Sequence, residues 1–125
     1  MNLTVIVVCL SLCFAGEEEP RINQIQLIGT HNSYHKVSKF VRENIKVLDC
    51  FELLNYELPP IKEQLDVGIR AFELDLHYHN TDGWLVLHIP QIDPESNCKK
   101  LRECLLEFKE WSNKHPKHLP VFVIL

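Results

Sequence analysis

Apolar and polar positions switch period several times along the chain. Ile22 to Ile28 alternates and breaks at Gly29-Thr30, which predicts a strand delivering His31 and Asn32 at its C-terminal end. Residues 36 to 48 carry a weak helical pattern, Pro59-Pro60 interrupts the chain, and Ile61 to Val67 predicts a short helix stopped by Gly68. From Ile69 to Tyr78 the period is two, with Phe72, Leu74, Leu76 and Tyr78 on one face and Ala71, Glu73, Asp75 and His77 on the other. Asn80-Thr81-Asp82-Gly83 is a turn signature. Trp84 to Ile89 reads as the returning strand of a hairpin, with His88 near its end.

Asp93-Pro94-Glu95 has the chemistry of a helix start: an N-cap acid, proline at the first helical position and a carboxylate in the first turn. Leu101, Leu105, Phe108 and Trp111 then recur at helical spacing, and the helix ends before Pro116. Leu119 to Leu125 is almost continuously apolar, as expected of a buried parallel strand. Strands alternating with helices, with polar residues at strand C-termini, predict an α/β architecture: the N-terminal part of a TIM (β/α)8-type barrel. A complete barrel takes about 250 residues, so residues 16–125 are expected to be a truncated catalytic domain that neither folds stably nor acts alone.

Composition changes the picture at the N-terminus. Residues 2 to 15 hold no charged side chain and are almost wholly apolar, and Gly16-Glu17-Glu18-Glu19-Pro20 then turns acidic. This predicts a signal peptide over residues 1–15 and a secreted, extracellular product. The run falls short of the roughly 20 residues a transmembrane helix needs, so no membrane span is expected after its removal. The sequon at Asn2 would leave with it. Thirteen Lys and Arg against seventeen Asp and Glu give a formal charge of -4 without a basic stripe, which argues against nucleic-acid binding.

Cys9 and Cys13 lie in the signal segment, leaving Cys50, Cys98 and Cys104 for an oxidising compartment. If residues 94 to 113 are helical, Cys98 and Cys104 stand about 9 Å apart along the axis, too far to bridge. A disulfide from Cys50 to one of them is then the expectation, with small apolar core fillers as the alternative.

The candidate chemistry rests on few residues. Glu73 and Asp75 stand one strand period apart, about 6.6 Å, so both carboxylates can converge on one hard cation. His31 and His88 stand at predicted strand ends, where a barrel gathers side chains. Two imidazoles suit an in-line phosphodiester displacement, one assisting the nucleophile and the other protonating the leaving oxygen. His35, His79, His115 and His118 are assigned to the surface, and His77 shares the carboxylate face.

Gly29-Thr30-His31-Asn32-Ser33-Tyr34, Gln64-Leu65-Asp66-Val67-Gly68-Ile69-Arg70, Glu73-Leu74-Asp75, Asp82-Gly83 and His88 together resemble the X-region of the phosphatidylinositol-specific phospholipases C. The resemblance covers most of residues 24 to 125. It implies that His31 assists attack of the inositol 2-hydroxyl on phosphorus, that His88 protonates the diacylglycerol oxygen, and that Asn32, Glu73 and Asp75 bind Ca2+. The implied partner is a phospholipid substrate at a membrane surface. Family members carry a further acidic calcium ligand just after a strand like Val121 to Leu125, and their head-group residues follow on later strands. Glycerophosphodiesterases and sphingomyelinase D-like enzymes share the Glu-x-Asp, Asp-Gly and His arrangement on the same barrel. His-Asn-Ser-Tyr after Gly-Thr favours the phospholipases C over these, and over a non-catalytic secreted barrel fragment.

Overall fold

In the computed structural model, residues 21–47 and 50–125 are described. The segment read as a signal peptide, with Asn2, Cys9 and Cys13, lies outside them. A 3-10 turn at Ile22–Gln24 leads through extended backbone to β1 (Gly29–Thr30). The strand expected over 22 to 28 thus shortens to its last step, because Ile28 gives its carbonyl to Arg70 and Ala71 while the residues before it find no strand partner. Next come α1 (Lys39–Asn44), α2 (Cys50–Leu54) and α3 (Ile61–Asp66), then β2 (Ala71–Glu73), β3 (Leu76–His79), β4 (Gly83–Val86), α4 (Leu101–Lys114) and β5 (Phe122–Ile124).

β1, β2 and β5 form a parallel sheet with β2 in the middle, in the register Gly29 with Ala71, Thr30 with Phe72 and Glu73 with Ile124. Gly29 is required there: a Cβ at this position would fall 2.9 Å from the Ala71 Cβ, closer than two carbons approach. α3 ends at Gly68, whose φ of 98° is open to glycine and strained for other residues, and whose N–H closes on the Leu65 carbonyl. α3 and α4 pack on the sheet through Ile61, Leu65, Phe72, Leu74, Cys104 and Trp111, with Phe72 edge-on to Phe108 at 4.9 Å. Arg70 lies 4.6 Å over the Trp111 ring, and the Trp111 indole donates to Asp66, so the helices are locked to the end of β2's lead-in.

The long strand expected from Ile69 to Tyr78 breaks at Leu74-Asp75. Leu74 still donates to the Ile124 carbonyl, and beyond Asp75 the chain leaves the parallel sheet for the β3–β4 hairpin, turning through Asn80, Thr81 and Asp82. Leu76 still packs against the core, and inward alternation ends there: Tyr78 is exposed and pairs edge-on with Trp84 at 5.2 Å.

Three further expectations are corrected. α4 begins at Leu101, not near Asp93, because residues 93 to 97 are held against the loop after β1: His35 bridges Ser96, Lys36 donates to the Glu95 carbonyl and Asn97 to the Tyr34 carbonyl. The helix start is carried by Glu103, whose carboxylate accepts from the Lys100 N–H. With Cys98 before the helix, its Cα lies 5.2 Å from that of Cys104 and the two are disulfide-bonded, while Cys50 is a free, exposed thiol. A rise of about 9 Å separates the two cysteines only if one helix runs through both, and α4 starts after Cys98. His35, assigned to the surface, is completely buried, covered by the bridge it forms with Ser96 and supplied with the Asp93 carboxylate.

No helix among the described residues is long and apolar enough to cross a membrane.

Candidate active site

The parallel register puts the ends of β1 and β2 side by side, and the residues following each strand meet there. The loop after β1 is held by backbone and side chain together. Glu73 donates its N–H to the Ser33 hydroxyl, Ser33 returns its own N–H to the Glu73 carbonyl, and the buried Gln64 amide donates to the carbonyls of Ser33 and Pro59. This explains why Gln64 belongs among the informative residues although it is no candidate for chemistry. Asn32 sits at a φ of 50°, a left-handed conformation that Asn tolerates better than most residues.

In that conformation the Asn32 N–H donates to Glu73 Oε2 at 3.0 Å, and His31 Nε2 lies 3.3 Å from the same oxygen. His31 is largely exposed and Glu73 half-buried. Asp75 joins through Tyr34, whose buried hydroxyl donates to Asp75 Oδ2 at 2.9 Å and lies 3.4 Å from Asn32 Oδ1. His31, Asn32, Glu73 and Asp75 therefore belong to one cluster.

His88 lies just beyond β4 in an adjoining cluster. Its Nδ1 is 3.5 Å from Asp93 Oδ2, which is also 2.5 Å from His35 Nε2. The two clusters are linked by Tyr56: its hydroxyl accepts from Asn32 Nδ2 at 3.0 Å, and its ring stacks on His35 at 4.2 Å. Tyr34, Tyr56, His35 and Asp93 are site residues that sequence reasoning did not single out. Tyr34 was inside a quoted motif. Tyr56 had no local signal, and Asp93 carried the stronger signal of a helix cap.

Burial, and then the hydrogen bond to Asp75, push the Tyr34 hydroxyl far above the ordinary phenol range. Burial also raises Tyr56, against the lowering effect of the Asn32 hydrogen bond. Both stay protonated at any working pH, so Tyr34 is a fixed donor to Asp75. No Lys or Arg pairs with Glu73 or Asp75 among the described residues. Two carboxylates and the Asn32 carbonyl oxygen are hard ligands without a basic counter-charge, the donor set that suits calcium. Among the described residues, a different set of metal-ligating atoms, from His35, His88 and Asp93, lies within 4.8 Å of one another. Its nitrogen-rich character fits a softer ion.

A family description, the calcium-dependent phosphoinositide phospholipases C, matches residues 20–84 and 77–125. The chain belongs to this family. Phospholipase C-like phosphodiester chemistry and calcium dependence are therefore the family's, and residues from the candidate site stand inside both matched segments. No curated protein and no solved structure matches the chain.

Proposed function

We propose that the protein cleaves phosphatidylinositol-type phospholipids to diacylglycerol and an inositol phosphate, with His31 and His88 moving protons and Asn32, Glu73 and Asp75 holding Ca2+. The observation that carries this reading is the meeting of His31 and Asn32 with Glu73 at the ends of two adjacent parallel strands, His31 Nε2 and the Asn32 N–H both on Glu73 Oε2.

Glu73 beside the exposed His31 favours the imidazole orientation and steadies the cation formed when it takes a proton from the inositol 2-hydroxyl. His88, partly open to solvent, gives a proton to the diacylglycerol oxygen in this reading. Bound calcium would offset charge developing on the phosphate. Tyr34 keeps one Asp75 oxygen engaged and leaves the other for the cation, as outer hydrogen bonds to metal-binding carboxylates do. We further read the three parallel strands as the first part of a (β/α)8 barrel, since strand C-termini carry the chemistry there. In this reading the protein is secreted and works at a membrane surface.

The test is release of diacylglycerol from phosphatidylinositol vesicles by the full-length protein. Chelation of calcium, His31→Ala and His88→Ala should each lower the rate by about 10²-fold or more. Full activity under any of these changes, or preference for a glycerophosphodiester or sphingomyelin, refutes the assignment.

A further inference from the structure

We propose that Asp93 and His35 form a buried pair that seats His88 for proton donation, with Asp93 as its positioning residue; this rests on the reading of His88 as general acid and names what holds it. Asp93 is completely buried and has no Lys or Arg partner among the described residues. A buried carboxylate without a basic partner is costly unless its oxygens are well engaged. Both are engaged here. Oδ1 accepts from the Ser38 N–H at 3.2 Å, and Oδ2 faces His35 Nε2 at 2.5 Å and His88 Nδ1 at 3.5 Å.

A carboxylate only accepts, so the ring nitrogens facing Oδ2 must carry the protons. For His88 that fixes hydrogen on Nδ1 and leaves Nε2 as the nitrogen that gives or takes a proton at the substrate, the division of labour an Asp–His pair imposes. His88 Nδ1 is buried and without a hydrogen-bond partner at this geometry. Asp93 Oδ2 is the acceptor beside it, at the length that such contacts show before substrate tightens them.

The surroundings restrict both rings. Ile89 and Asp93 exchange backbone hydrogen bonds in both directions, at 3.3 and 2.8 Å, so the loop returns Asp93 to His88 within five residues. The His35 ring is clamped between the Tyr56 face at 4.2 Å and the His88 edge at 5.9 Å. A metal ion in the same place would need its ligand atoms about 3.3 Å apart for tetrahedral bonds of about 2.0 Å. His35 and Asp93 are closer than that, at direct hydrogen-bond distance, which favours the proton-bearing pair over an ion.

The experiment compares two substrates on the full-length protein and its variants. Phosphatidylinositol expels an alkoxide that needs a proton, and the nitrophenyl ester of inositol phosphate expels a phenoxide that leaves without one. His88→Ala and Asp93→Asn should each lower kcat on the lipid by about 10²-fold and on the nitrophenyl ester by only a few-fold, with His35→Gln following the same pattern. The ratio of the two rates on one preparation cancels the folded fraction, so a variant that folds poorly still decides the question. Equal losses on both substrates for Asp93→Asn, or no loss on either, while His88→Ala keeps its unequal losses, overturn the inference alone. Equal losses for His88→Ala overturn the general-acid reading and the inference with it. One equivalent of zinc per protein that depends on His35 also overturns the inference.

Discussion

Tyr34→Phe tests whether one buried hydroxyl organises the carboxylates. The ring belongs to the core beside Leu65, Phe72 and Leu74, and phenylalanine keeps that packing, so no cavity opens. What is lost is the hydroxyl that donates to Asp75 Oδ2 at 2.9 Å. A hydrogen bond to a charged group contributes roughly 1.5–3 kcal/mol. Asp75 is only half-buried, so water recovers part of this and the net loss is about 1–2 kcal/mol. In urea, a loss of this size with a slope of about 1.5 kcal/mol per M lowers the midpoint by about 1 M without changing the slope. The same change frees Asp75 to rotate, and calcium affinity by calorimetry should fall about tenfold or more. An unchanged midpoint would mean the hydroxyl contributes nothing. A lowered midpoint with unchanged calcium affinity would remove Asp75 from the ligand set.

Other consequences are as direct. Alkylation of the unreduced protein followed by peptide mapping should modify Cys50 and leave Cys98 and Cys104 linked; a peptide joining Cys50 to either would refute the pairing. Burial raises the Glu107 carboxyl above its usual value, and one of its oxygens has no hydrogen-bond partner. A raised folded-state value means its contribution to stability is present below the unfolded value and is lost as pH rises through the folded one. Glu107→Gln should therefore raise the neutral-pH melting temperature and remove the decline across that window. An unchanged profile would show the carboxyl to be hydrated.

Local chemistry was legible where one segment decides its own conformation. Gly68 stops α3 because only its left-handed φ closes the helix, and Asn80 to Gly83 turns the hairpin because those residues suit a turn. Candidate chemistry was legible for a related reason: His31 with Asn32, and Glu73 with Asp75, are local pairs whose spacing survives whatever surrounds them. Reading failed where a distant segment outbids a local preference. Asp93 has the signal of a helix cap, yet its carboxylate is claimed by Ser38 and His35, more than fifty residues earlier. Cys98 then falls outside α4, which turns an excluded disulfide into the one formed. The strand expected through Tyr78 broke at Asp75 because β2 pairs two residues with β1 and three with β5.

The sequence by itself determined which residues could do phosphodiester chemistry, since that depends on functional groups and short spacings. Only the tertiary structure decided how they are held: Tyr34 on Asp75, Tyr56 between Asn32 and His35, and Asp93 beneath His88. Asn32 and Tyr56, Tyr34 and Asp75, and His35 and Asp93 stand 24, 41 and 58 positions apart, and no local pattern carries a partner chosen by packing at that distance.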